Sequence, residues 1–264
     1  MKIIQRIIKL LSSLEDIFVF FLFLVFFLIG TYGMYDSYKV YQSANDKSIL
    51  QYKPGYEGEQ PEDKKIVGNM VAWITLDNTT IDYPIMQGKT NNEYLNIDPF
   101  GNYSMSGSIF LDSRNSSNFS DSYSLVYGHH MEGEYMFGAL DNYLTPDYFK
   151  NHKTGSLIVG DKVYTFKIFA TLEADASERI IFAPTEVDKK EVLSFINEKA
   201  IYKDEEGFYQ AKDLNIMALS TCQSPDTTER TIVVGTLSPK NLSENNNVIK
   251  KGEKQWIKIE KLKH

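Results

Sequence analysis

From Ile17 to Tyr35 no residue is charged, and the centre of that stretch, IFVFFLFLVFFLI, is apolar without interruption. A run of this length is enough for a helix to cross a bilayer core. Because it is apolar on every face and not along one stripe, it predicts a lipid-facing helix and not the core helix of a soluble domain. Further along, the pattern becomes short runs rich in Val, Ile, Tyr, Phe and Thr, separated by turn residues. Eight such runs predict strands: 71–76, 80–86, 107–112, 122–128, 156–160, 162–172, 214–221 and 230–237. Eight short strands with few long helices predict a mostly β fold, a barrel or a sandwich. Two helical insertions interrupt them. Residues 134–151 carry Met136, Phe137, Leu140 and Leu144 at helical spacing, with Thr145-Pro146 restarting a helix. Residues 185–201 start at Thr185 as a cap and carry Val187, Val192, Leu193, Phe195 and Ile196 on one side. A shorter helix is predicted to start at Pro61-Glu62-Asp63, with Ile66, Val67 and Met70 on one face. No internal repeat of 20–50 residues is visible.

Charge orders these elements across a membrane. Lys2, Arg6 and Lys9 precede the apolar run, together with Glu15 and Asp16, and Asp36 follows it. The Lys/Arg bias predicts a cytoplasmic N-terminus with everything after Tyr35 outside. A cleaved signal peptide is the alternative, but no A-x-A site follows, only Gly30, Thr31, Gly33 and tyrosines. The expected organisation is a cytoplasmic segment over 1–16, a transmembrane anchor over 17–35 and an extracellular helix and linker over 36–64. A catalytic domain over 65–238 and a basic tail over 239–264 complete it. The whole chain carries −7; residues 1–39 hold +1 and the tail +4, which leaves −12 on the globular domain. That balance argues against a nucleic-acid partner.

There is one cysteine, Cys222, and there are four histidines, His129, His130, His152 and His264. A single cysteine excludes an internal disulfide and any CxxC site, and the Cys/His spacing fits no structural zinc module. The acidic residues lack the spacing of a calcium loop, so neither metal nor cofactor is expected. Cys222 ends the apolar run IMALST and is followed by polar Gln223 and by Pro225-Asp226. It reads either as an inert buried thiol or as a reactive one at the mouth of a strand. Arg230 opens the next strand. If 214–221 and 230–237 pair antiparallel, Cys222 and the base of Arg230 share one rim. Arg230 can then bond a carbonyl or a developing oxyanion, or simply pair with Asp226 or Glu229. His129 ends a third strand and can exchange a proton with a thiol or a leaving amine. His130 competes for that role, although strand alternation points it to the other face.

Tyr127-Gly128-His129-His130, Leu219-Ser220-Thr221-Cys222 and Arg230 together resemble the sortase family. The stretch from Trp73 to Leu95 and then SGSIFLD are similar to its early barrel strands, and the likeness runs from roughly 65 to 238. The helices before residue 70 and the 185–201 helix resemble class B sortases in particular. The resemblance implies a closed eight-stranded barrel with peripheral helices and a membrane-bound cysteine transpeptidase. It implies that Cys222 attacks a backbone carbonyl in the C-terminal sorting signal of a secreted protein, forming a thioester. An amine of the cell-wall peptidoglycan then resolves it. His129 matches the family's acid–base and Arg230 its substrate- or oxyanion-holding arginine. Ser220 and Thr221 match flanking substrate positions, and Tyr127, Asn91, Leu95 and Ile180 match class B pocket positions. For Asn91 a turn role, and for Leu95 a core role, stand as alternatives. Gln223 departs from class B members that carry an acid there. Asp98-Pro99-Phe100 resembles the lid tripeptide of class C sortases but lies inside the barrel region and reads as a turn. Two other functions fit the same residues: a membrane-anchored cysteine hydrolase with water as acceptor, and a non-catalytic envelope binding domain.

Overall fold

In the computed structural model, residues 2–56, 58, 66, 69–221 and 228–240 are described. The chain divides into two units, Met1–Ser43 and Ala44–His264. The first is built on one long helix, α1 (Lys2–Ala44), which continues past the expected end of the apolar span at Tyr35 into the segment expected to hold a short helix. Its large apolar side chains from Ile17 to Ile29 are exposed, so no packed core explains them. The helix is long and apolar enough to cross a membrane. Inside it Thr31 turns its hydroxyl back onto the Phe27 and Leu28 carbonyls, which satisfies the donor without water.

The second unit is a barrel. Its strands are β1 (Met70–Leu76), β2 (Asp82–Met86), β3 (Ile109–Leu111), β4 (Tyr123–Gly128), β5 (Thr154–Val159), β6 (Lys162–Asp175), β7 (Tyr202–Lys203), β8 (Asn215–Thr221) and β9 (Glu229–Pro239). They run in the order β5-β1-β2-β3-β4-β8-β9-β6, and pairing of β5 with β6 closes the circle at eight strands. Closure removes the exposed edges that would otherwise template aggregation. The two-residue β7 lies outside that circle, paired to β6, and is a ninth strand not expected from the sequence. Neighbours pair antiparallel except β2–β3 and β4–β8, which are parallel.

Side-chain alternation explains why these runs are apolar throughout. In β8, Ile216 and Ala218 join a core backed by Ile181, Val192, Leu193 and Ile196. Met217 and Leu219 join a second core containing Phe137, Leu140 and Tyr143. With both faces covered, a strand has no solvated side to encode as polar.

The helices differ from the sequence reading in detail. Residues 134–151 form a 3₁₀ segment over Gly138–Leu144 and only then α2 (Pro146–Asn151). Glu134 and Met136 have positive φ, which a regular helix does not admit. A four-residue helix, α3 (Arg179–Phe182), precedes α4 (Lys189–Lys199). The latter starts at Asp188 and not at Thr185: the Asp188 carboxylate accepts the Lys190 N–H at 2.7 Å, a cap that Thr185 does not supply. The last helix among the described residues is α5 (Glu205–Gln210). Met70, expected on a helix face, is instead the first residue of β1, buried and paired with Met86. The predicted helix start at Pro61-Glu62-Asp63 and the tail from residue 241 lie outside the described residues.

Candidate active site

Three strands bring His129, Arg230 and Thr221, the residue before Cys222 in sequence, to one rim. The parallel ladder between β4 and β8 ends at the pair Gly128–Thr221. His129 and Cys222 are therefore the next residues in sequence after two directly paired neighbours. Cys222 itself lies outside the described residues. On the other side of β8, β9 pairs antiparallel, as expected, with Ser220 opposite Ile232. The Thr231 N–H donates to Thr221 Oγ1 at 3.1 Å and Arg230 Nη1 donates to the Thr221 carbonyl at 3.3 Å. Thr221, the last described residue before Cys222, is thus held from the strand that carries Arg230.

Gly128 is a glycine for steric reasons. A Cβ there would lie 2.4 Å from Ile109 Cδ1 and 2.7 Å from the Phe137 ring. His129 then leaves the ladder half-buried, and its Nε2 sits 2.6 Å from the Leu95 carbonyl oxygen. A carbonyl only accepts, so Nε2 carries the proton and Nδ1 is the nitrogen left for chemistry. Among the described residues Nδ1 has no hydrogen-bond partner. The Gly107 backbone passes close against the Leu95 carbonyl: its φ is +56°, and a Cβ there would meet that oxygen at 2.3 Å. Gly107→Ala is therefore expected to cost about 1–3 kcal/mol of stability and to lower turnover by displacing the carbonyl that orients His129. Thermal unfolding and peptide cleavage measured on the same sample check both; an unchanged turnover would remove Leu95 from the imidazole's support.

The structure separates the two adjacent histidines. His130 Nε2 lies 2.6 Å from Asp141 Oδ2, and Asp141 Oδ1 accepts the Thr231 hydroxyl at 2.7 Å. His152 ends α2, stacked on Tyr148 at 3.8 Å and bonded to its carbonyl. His264 is outside the described residues.

A buried carboxylate organises the opposite wall. Asp112 follows β3, its N–H continuing the ladder to the Leu125 carbonyl at 2.8 Å, and its side chain is fully buried. It accepts from Asn91 Nδ2 at 2.9 Å, from the Tyr127 hydroxyl at 3.1 Å, and from Arg114 Nε and Nη2 at 2.9 and 2.7 Å. Burial pushes the carboxyl up, but the paired Arg114 guanidinium, the Arg114 N–H and Asn91 outweigh it, so the net shift is downward and the group is charged. Burial, and then the Asp112 charge, push the Tyr127 hydroxyl far up, so it stays a neutral donor. Asn91 is doubly engaged, since its Oδ1 accepts the Ser113 N–H at 2.7 Å. The Tyr127 ring stacks on Phe182, with centroids 6.5 Å apart and planes 15° apart. The Arg230 guanidinium lies over the other partner of that stack, 5.4 Å from the Phe182 centroid. Arg230 Nε is buried and without a partner among the described residues.

Of the expected substrate positions, Asn91, Tyr127 and Arg230 converge on this wall, and Leu95 contributes its backbone to His129. Ile180 lies half-buried on α3, two residues before Phe182. Ser220 and Thr221 are buried, with hydroxyls spent on the Thr221 carbonyl and the Thr231 N–H respectively. Asp112, Arg114, Phe182, Asp141 and Thr231 were not expected from the sequence. The available signal for the first two was an acid and a base two residues apart at the end of a fully apolar strand.

Comparison with known proteins decides the family. Residues 74–238, well over half of the chain, match the Sortase domain family model. This chain belongs to the sortase family. The sortase is 31% identical over 198 residues to Sortase B of Staphylococcus aureus, covering 74% of this chain and 79% of that one. Among solved structures it is similar to a Streptococcus pyogenes class B sortase involved in pilus biogenesis. That match has 40% identity and a TM-score of 0.59, and covers 64% of this chain and 92% of that one. It is also similar to the Staphylococcus aureus sortase B–substrate complex, at 29% identity and a TM-score of 0.60 over 67% of this chain and 82% of the other. It is a class B-like sortase, a cysteine transpeptidase of the cell-wall-anchoring type. The expected closed eight-stranded barrel is the observed one.

Proposed function

We propose that Cys222 is the nucleophile of this sortase, His129 its acid–base and Arg230 the residue that holds the reacting carbonyl. The observation that carries this reading is the ladder end at Gly128–Thr221, with Arg230 bonded back to Thr221. His129 Nδ1 takes the Cys222 thiol proton, the thiolate attacks a backbone carbonyl of the sorting signal, and the carbonyl π electrons move onto oxygen beside the Arg230 guanidinium. Collapse of the tetrahedral adduct breaks the C–N bond, and His129 Nδ1–H protonates the departing amine. A thioester remains. An incoming amine attacks it, His129 takes the amine's proton, and the thiolate leaves and regains its proton from His129, so the enzyme ends as it began. Asn91, Leu95, Tyr127, Ile180, Ser220 and Thr221 line or support the peptide site. The reaction needs no cofactor.

The substrates of this reading are secreted proteins with a C-terminal sorting signal, and the acceptor is a peptidoglycan precursor or cross-bridge amine. The S. pyogenes relative's involvement in pilus biogenesis makes an amine carried by another protein the second reading for the acceptor. Helix α1 is read as an uncleaved single-pass anchor over 17–35, supported by its exposed apolar surface and by Lys2, Arg6 and Lys9 before it. The catalytic domain over 65–238 and the basic tail over 239–264 then lie outside the membrane.

The test is incubation of the full-length chain in detergent with a library of sorting-signal pentapeptides. Parallel reactions contain triglycine, a peptidoglycan stem peptide or a lysine peptide, and mass spectrometry reads the products. Cleavage at one bond with transfer to one amine is expected. Hydrolysis with no amide product from any amine would favour the hydrolase alternative.

A further inference from the structure

We infer that Asp112 and Arg114 are positioning residues for Arg230, acting through Phe182. The inference rests on the proposed role of Arg230. Among the described residues, Arg230 makes one 3.3 Å bond to the Thr221 carbonyl, has no partner at Nε, feels the exposed Asp175 carboxylate electrostatically and lies on the face of Phe182. An arginine side chain seated so loosely by hydrogen bonds takes its place from the ring beneath it. The position of that ring is set twice from Asp112. Arg114 Nη2 bridges, donating to Asp112 Oδ2 at 2.7 Å and to the Phe182 carbonyl at 2.6 Å, which fixes the backbone of α3. Tyr127, whose hydroxyl is tied to the same carboxylate oxygen, stacks against the Phe182 ring and fixes its plane.

The chemistry of the pair suits this task. The Asp112 carboxylate is removed from water and saturated with donors, so it does not wander. The planar guanidinium of Arg114 reaches a carboxylate and a carbonyl in a fixed fork, which a lysine cannot do. Among the described residues neither group is hydrogen-bonded to Arg230. Their effect on Arg230 passes through the ring it rests on, apart from the direct bonds of Asp112 to Asn91 and Tyr127, and the segment that carries this ring, Arg179–Phe182, is otherwise a single short turn of helix.

The experiment is a double-mutant cycle with an independent view of Arg230, on the full-length chain in detergent. Arg114→Gln removes the cation beside the buried Asp112 carboxylate, so its thermal unfolding is measured first and every assay is run below its midpoint. It is expected to lower kcat/KM by about ten- to a hundredfold, the scale of a misplaced catalytic group. In an Arg230→Lys background the same change is expected to cost less than about threefold, because the seat no longer has its occupant. Phe182→Leu, which keeps an apolar side chain and removes the ring face, is expected to reproduce the pattern. Arg179→Gln removes an exposed pair with Glu186, a residue that also lies 3.5 Å from Arg114 Nη1, and is the control for that shared carboxylate, expected to change activity less than about twofold. Equal losses for Arg114→Gln in both backgrounds overturn the inference. The Arg230 Nε–Hε NMR resonance is read in parallel. It is expected to move in Arg114→Gln and Phe182→Leu and to stay in Arg179→Gln; an unmoved resonance in Arg114→Gln overturns the inference whatever the activities. An Arg230→Lys variant of wild-type activity, with the resonance shifts intact, would instead remove Arg230 from catalysis and leave its seating as described.

Discussion

Cys222→Ala is expected to abolish cleavage of sorting-signal peptides, a loss on the order of 10⁴-fold or more, while the thermal unfolding midpoint stays in place. The chain has no other thiol. A thioester intermediate needs a sulfur nucleophile, and the oxygen of water cannot form it. The wild-type chain mixed with peptide in the absence of amine is expected to gain one acyl mass, removed by hydroxylamine. Cleavage by the alanine variant at the wild-type rate would transfer the nucleophile's role elsewhere.

The second large effect is expected from the adjacent histidines, and the contrast between them is the informative part. His129→Ala is expected to lower kcat/KM by about 10²–10⁴-fold, the usual contribution of a positioned acid–base. His130→Ala is expected to stay within about tenfold of wild type, because His130 is paired with Asp141 while His129 presents Nδ1 at the ladder end. The His130 change loosens Asp141 and Thr231, which explains a modest effect through Thr221. Steady-state cleavage of one peptide by both variants decides it. A loss at His130 equal to that at His129 would show that sequence adjacency, and not the geometry of the Leu95 bond, governs the site.

The strands and the site were legible to different degrees, for physical reasons. Runs such as NIMALST are recognisable because β-branched and apolar residues at consecutive positions satisfy two cores at once, and only a strand buried on both faces requires that. The segment 134–151 misled because Phe137, Leu140 and Tyr143 are spaced for the barrel surface they cover and not for a regular helix. Positive φ at Glu134 and Met136 leaves little mark in residue type, since neither is a glycine. The N-terminus of α4 was misplaced by three residues because both Thr185 and Asp188 are good caps, and only packing chooses between them. In the proposed site, Cys222, His129 and Arg230 stand out in the sequence because their side chains can do chemistry alone. Asp112, Arg114 and Phe182 do not, because each acts only through the next, and a strand-end acid looks like a solvated one until its burial is known. The parallel pairing of β4 with β8 was equally hidden, since nothing local in either strand names its partner.

That pairing also sets when the enzyme becomes an enzyme. Gly128 and Thr221 are neighbours in the ladder but 93 residues apart in the chain. Bringing them together closes one of the longest loops in the domain, with β5, β6 and α4 between them, and so carries a large share of the entropic cost of assembling the site. With the assignments proposed above, a chain in which β4 and β8 are not yet paired carries a thiol without its imidazole. Acyl transfer in this reading therefore depends on a long-range strand pairing and not on any local segment.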